Sequence, residues 1–217
     1  MTCPHCRAAD ATFGSKVAAA DRKRYLRRGP DQTTAEIVRS VRALGLRQAT
    51  LLDIGAGIGV VHHELLDDGV AAAVHVEAAT AYLDVARLET DARGHGNRVR
   101  FVQGDLVEVA GGLEPADVVT LDRVVCCYPG YAALLTRSAD KCRAAYVLSY
   151  PRSRWYVRLV VWAQNLVRRL RRDAFRTFVH PEAAIRQALT EAGLRPAGER
   201  DFFVWRVEWY VRRVEAG

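Results

Sequence analysis

The chain lacks any apolar run as long as the roughly 18 to 20 residues that a bilayer-spanning helix needs, so no transmembrane segment is expected. Its opening stretch, MTCPHCRAAD, has no apolar signal core. Export is therefore not predicted, the expected location is cytoplasmic, and the five cysteines are expected to stay reduced. No second C-x-x-C accompanies Cys3-Pro-His5-Cys6, and structural zinc calls for four ligands. On that basis Cys3, His5 and Cys6 are assigned no metal and read as part of a mobile arm. The phosphate-cradling G-K-[ST] is missing, which excludes a P-loop. Lysine is scarce: Lys16, Lys23 and Lys141 are the only ones, so the net charge of +7 is carried mostly by arginine. An Arg- and Ala-rich chain can reflect the base composition of its coding DNA. The charge sum by itself is thus a weak argument for nucleic acid.

What is present is the length and balance of a globular domain: 217 residues, 50% hydrophobic and 26% charged. Residues 1–34 read as an irregular N-terminal arm with a short helical piece, ended by Gly29-Pro30. Asp31 to Thr34 offer helix caps before a helix over Ala35–Leu44. Strand and helix signals then alternate. Strands are predicted at Ala49–Ile54, Ala71–Val76, Val99–Gln103, Ala116–Leu121 and Ala144–Ser149. Helices are predicted at Val60–Asp68, Ala79–Ala92 and Tyr131–Cys142. Such alternation implies a parallel sheet with right-handed crossovers. After helical stretches at 155–172 and Pro181–Ala192, the chain ends in two alternating strands, Glu199–Trp205 and Val207–Val211.

The strongest local signal is Leu51-Leu-Asp53-Ile-Gly55-Ala56-Gly57-Ile-Gly59. A buried strand runs into three glycines and then a helix, so the backbone can approach a ligand and offer free N–H groups. Glu77 ends the next strand, 22 residues beyond Gly55. That spacing suits a carboxylate gripping ribose hydroxyls. The dinucleotide pattern G-x-G-x-x-G would need glycine at position 60, which is Val60.

The pattern D-x-G-x-G-x-G resembles motif I of class I S-adenosylmethionine-dependent methyltransferases. The resemblance covers about residues 35–213 and implies a Rossmann-like α/β fold: a seven-stranded sheet, mostly parallel, with an antiparallel last strand and helices on both faces. It implies S-adenosyl-L-methionine as cofactor, held by Asp53, Gly55, Ala56, Gly57 and Gly59 at the methionine end. Glu77 and Ala78 would lie at the ribose, and Gly104, Asp105 and Leu106 at the adenine. Leu121, Asp122 and Arg123 would form the floor beside the methyl group. The run Leu121-Asp-Arg-Val-Val-Cys-Cys127-Tyr-Pro129, followed by Ser149-Tyr-Pro151, resembles magnesium-protoporphyrin O-methyltransferases and bacterial relatives. Some of those carry His where this chain has Cys127.

A carboxylate acceptor needs no strong base, whereas a hydroxyl, thiol or amine needs one within hydrogen-bond reach. Tyr25, His180 and Cys127 are the catalytic candidates, each with a packing role as the plainer reading. Packing is likewise the favoured reading of Cys126 and Cys127 over a reactive thiolate. Of His62 and His63, one is expected to pack and the other to be solvated. The stretch 152–180 reads as a basic amphipathic insertion in a domain spanning 35–217. Trp155, Leu159, Trp162, Leu166 and Leu170 share a face that either packs on the domain, lids an amphipathic acceptor, or touches an anionic membrane weakly through residues 152–172.

The leading expectation is methyl transfer to a small acidic or hydrophobic acceptor, with O-methylation as one form of it. An RNA methyltransferase and a catalytically silent cofactor-binding regulator are the alternatives. No RNA-binding appendage is recognisable, and the sequence assigns no oligomeric state.

Overall fold

Alternating apolar runs and glycine-punctuated helices build a single twisted sheet with helices on both faces. The computed structural model describes residues 4–46 and 48–212. The N-terminal arm is two helices, α1 (Pro4–Thr12) and α2 (Ser15–Arg28), rather than irregular chain. Helix α3 (Gln32–Ala43) follows, its N-terminus capped by Asp31, which accepts from the Thr34 amide at 3.2 Å. Then come β1 (Thr50–Ile54), α4 (Val60–Asp67), β2 (Ala72–Glu77), α5 (Thr80–Ala92) and β3 (Val99–Gln103). A short α6 (Leu106–Val109), β4 (Ala116–Leu121), α7 (Tyr131–Ala139) and β5 (Cys142–Pro151) complete the parallel run. The chain closes with α8 (Trp155–Leu170), α9 (Glu182–Glu191), β6 (Leu194–Asp201) and β7 (Trp205–Arg212).

The sheet order is β3-β2-β1-β4-β5-β7-β6. Only β7 runs antiparallel to the others, inserted between β5 and β6. The terminal hairpin is therefore present, with β6 beginning five residues earlier than its sequence pattern suggested. Side chains alternate across the sheet, as a period of two demands. Leu52, Ile54, Val119, Leu121 and Leu148 pack in the core beneath α7 and α9. Leu51, Val118 and Val147 pack in the core beneath α3 and α4.

Helix α8 decides against one of the three readings its sequence left open, that its apolar face packs on the domain. Its inward side carries the buried Val157 and the half-buried Val161, Asn165 and Arg168. Trp155, Leu159, Trp162, Leu166 and Leu170 point away from the domain, with both tryptophans more than 60% exposed. The apolar face thus does not pack on this chain.

Candidate active site

The strand order reverses between β1 and β4, both of which neighbour each other while their sequence neighbours diverge. In open α/β sheets that switch point leaves a crevice beyond the carboxyl ends of the strands. Here it opens into a cavity of about 500 Å³. Its floor is the turn after β1, the end of β2 and the segment after β4. Its roof is α1 and α2 together with residues 173–177. Phe13 ties the roof together, its ring 5.1 Å from Phe175 and 5.6 Å from Tyr82 on α5.

The glycine turn earns its composition. Gly55 has φ +59°, and a Cβ there would lie 2.5 Å from Val124 Cγ2. Glu77 accepts from two elements: Gly57 N–H of the turn donates to one carboxylate oxygen at 2.9 Å, and Ala79 N–H, at the start of α5, to the other at 2.8 Å. Burial raises the Glu77 pKa, and those amides oppose the shift. A carboxylate has about four lone-pair sites, so Glu77 retains acceptor capacity for hydroxyls in the cavity. Asp53 is fully buried at the end of β1. It accepts from Thr120 Oγ1 at 2.8 Å and lies 3.3 Å from His62 Nδ1. Burial pushes its pKa up to about 7.

Beyond β4, Asp122 accepts from Ser149 Oγ at 2.6 Å and from Thr34 Oγ1. Ser149 Oγ in turn accepts the Arg123 amide at 2.8 Å. This network holds Arg123 at φ +60°, an uncommon conformation for a residue with a side chain. The Arg123 guanidinium is already engaged, with Asp31 at 2.8 Å and Asp122 at 3.5 Å. Arg168 enters the cavity from α8. It donates to Thr177 Oγ1 at 2.7 Å, lies over the Phe175 ring at 4.9 Å, and pairs with no carboxylate among the described residues.

Asp53, Gly55, Ala56, Gly57, Glu77, Ala78, Gly104, Asp105, Leu106, Asp122 and Arg123 all line the cavity. Gly59 and Leu121 do not. Gly59 starts α4, where a Cβ would sit 2.4 Å from the His62 ring, and Leu121 is wholly within the core. His62 and His63 are both buried, contrary to the expected split between packed and solvated. Asp105 is occupied in a way its sequence did not announce: it caps α6 through Val107 N–H at 3.0 Å and accepts from Tyr128 Oη at 2.7 Å.

Of the catalytic candidates, Tyr25 lines the cavity and donates to Glu64 at 2.8 Å; burial and that bond keep its hydroxyl protonated. Cys127 also lines it. The neighbouring Cys126 thiol, 3.7 Å away, shifts Cys127 downward while being pushed up itself. His180 lies outside the lining, with Nε2 3.0 Å from the Tyr128 carbonyl and its ring against Tyr131 and Phe178. Cys3 lies outside the described residues. Sequence reasoning missed Phe13, Tyr128, Arg168 and Phe175. The basic helix was visible as such, but nothing in its pattern said that Arg168 turns inward.

Residues 52–143 match a family model described as a methyltransferase domain. No curated protein sequence matches the chain. Its structure is similar to that of magnesium protoporphyrin IX methyltransferase from Synechocystis PCC 6803 with bound SAH. The two are 20% identical with a TM-score of 0.74, over 94% of this chain and 98% of that one. A chain of the complex between the Haloferax volcanii Trm112 methyltransferase activator and a methyltransferase gives 15% identity and a TM-score of 0.75. The match covers 96% of this chain and 99% of that one. An O-methyltransferase family protein from Burkholderia thailandensis is 18% identical with a TM-score of 0.65, over 94% of this chain and 64% of that one. At these identities the likeness is one of fold.

Proposed function

We propose, from the match of residues 52–143 to a methyltransferase-domain family model, that the chain is a class I methyltransferase that transfers the methyl group of S-adenosylmethionine to a small acidic acceptor, as an O-methylation. The cavity fits the cofactor. Glu77 keeps acceptor sites for ribose hydroxyls, the glycine turn leaves space where a Cβ would intrude, and Asp53 borders the same wall. When bound, the cofactor supplies a methyl carbon already activated by its sulfonium. The protein's own task is then alignment, which can be worth roughly 7 to 11 kcal/mol.

The observation that carries the acceptor class is Arg168. It is a cavity-lining cation with no carboxylate partner among the described residues, braced by Thr177 and Phe175. A guanidinium in that setting recognises a carboxylate. Such an acceptor needs no strong base, which agrees with a Tyr25 hydroxyl held protonated and with His180 turned to the Tyr128 carbonyl. Cys127 borders the acceptor side as a wall residue. Incubating the protein with S-adenosylmethionine and a panel of carboxylic acids, alcohols and tRNA fragments tests the class. We expect S-adenosylhomocysteine release with carboxylates, and for Arg168→Ala a rise of about tenfold or more in acceptor KM. Turnover on RNA alone would overturn the reading.

The outward face of α8 supports a second element, peripheral contact with an anionic membrane. Trp155, Trp162 and Leu170 are exposed, and no acidic residue occurs between 152 and 172. No helix of the described residues is long and apolar enough to cross a membrane. Sedimentation with phosphatidylserine-containing vesicles is expected, with loss in a Trp155→Ala, Trp162→Ala double variant. Equal sedimentation with neutral vesicles, or none with either, contradicts it.

A further inference from the structure

The roof of the cavity meets its wall in a cluster of which the methyl-transfer reading uses only Asp105. On α1, His5 and Cys6 approach Asp105, the residue that opens α6. One ligand atom from each lies within 4.8 Å of the other two. The His5 Nε2 to Asp105 Oδ2 distance is 3.8 Å. Tetrahedral ligation with metal–nitrogen and metal–oxygen bonds of about 2.0 to 2.2 Å gives a ligand separation of roughly 3.3 to 3.6 Å. A contraction of a few tenths of an ångström therefore suffices to close this edge of the site.

Two further observations give the cluster the character of a built site. Cys6 and Asp105 are each only 4% exposed, so the donors are not surface groups that meet by chance. Tyr128 braces two of the three members, Asp105 and His5. Its hydroxyl donates to Asp105, with oxygens at 2.7 and 2.8 Å, and its ring packs edge-on against His5 at 4.1 Å. An outer residue that fixes a carboxylate and orients an imidazole is the usual support of a metal ligand set. The donor set, one imidazole nitrogen, one sulfur and one carboxylate oxygen, suits a borderline divalent cation of the zinc type. It does not suit the all-oxygen preference of magnesium or calcium.

We propose that His5, Cys6 and Asp105 bind such a cation, with water in the remaining position, and that it fastens α1 to the cavity wall. Metal binding here shares Asp105 with the methyl-transfer reading but needs no bound methyl donor. The sequence offered no second C-x-x-C; the fold brings a carboxylate from a hundred residues away instead.

The test uses the full-length, tag-free protein, stripped with chelator and titrated with Zn²⁺ and separately with Co²⁺. One equivalent of Zn²⁺ is expected to bind with micromolar or tighter affinity. Co²⁺ is expected to give a near-ultraviolet thiolate charge-transfer band that fades in Cys6→Ser and persists in Cys142→Ser. His5→Ala should weaken Zn²⁺ binding at least tenfold. Tyr128→Phe, which keeps the ring and removes the hydroxyl, should weaken it by about 10- to 100-fold. Circular dichroism confirms that each variant is folded. No stoichiometric Zn²⁺ binding, or binding that His5→Ala and Cys6→Ser leave unchanged, shows that His5, Cys6 and Asp105 are only packed neighbours.

Discussion

Single residues decide how the floor of the cavity is supported, and the clearest case is the group of histidines behind it. His62, His63 and His75 are fully buried. They pack on one another, with ring centroids of His62 and His63 4.3 Å apart and those of His62 and His75 5.1 Å apart. Burial lowers the His62 pKa to about 3 and that of His63 to about 2, and holds His75 well below its ordinary value. In the unfolded chain each titrates near 6.5. Below that pH the unfolded state binds protons that the native state refuses, so their contribution to stability is full above pH 6.5 and falls on acidification. Asp53 acts in the opposite sense, since its raised pKa lets the native state take up a proton earlier than the unfolded one. Replacing one histidine isolates the effect. Neither His75 ring nitrogen has a hydrogen-bond partner among the described residues, so His75→Phe should shed one proton from the dependence. Urea unfolding at pH 5, 6 and 8 should show the variant losing about 1.4 kcal/mol less per pH unit below 6.5 than the parent. Parallel pH profiles for the two proteins would contradict this. The sequence displayed the His62-His63 pair but not its burial, which depends on the missing Cβ of Gly59 and on β2 placing His75 beside them.

At the scale of elements, the alternating part of the chain was legible because its strands are short apolar runs bounded by glycine. Every strand from β1 to β5 falls where the pattern put it, within a few residues. The N-terminal helices were not legible for a physical reason. Their buried positions are Cys6, Ala8, Ala18 and Tyr25, mostly small side chains that leave no large apolar stripe to read. The orientation of helix α8 was left open by its sequence for the converse reason: it has a large apolar stripe, and a stripe alone does not say whether the domain buries it; here it does not. The roof formed by α1 and residues 173–177 depends on Phe13, joined by a Thr12 Oγ1 to Asp173 hydrogen bond of 3.3 Å. Phe13 is only partly buried, so Phe13→Ala should cost somewhat less than the roughly 3 to 5 kcal/mol of a core phenylalanine. That loss should fall locally. Hydrogen exchange over residues 4–12 should quicken while β1 and β4 stay protected; unchanged exchange in α1 would show that the roof is held by other contacts.

For the whole molecule, a strand-order reversal makes a crevice, and the residues at its lip determine what the crevice accepts. The glycine turn, the carboxylate one strand away and the aspartate after β3 were all readable as a spaced motif set. Their convergence on one cavity is a property of the sheet order. The acceptor side was not readable, because Arg168, Thr177 and Phe175 come from a segment with no spacing relation to the motifs. The central claim is that Glu77 holds the adenosyl group of the methyl donor. Titration calorimetry with S-adenosylhomocysteine tests it most directly. The parent protein should bind one equivalent, and Glu77→Ala should lose about 10- to 100-fold in affinity, the range expected for hydrogen bonds to a charged group worth roughly 1.5 to 3 kcal/mol. Equal affinity in a folded Glu77→Ala variant, or no binding by the parent, would contradict the account.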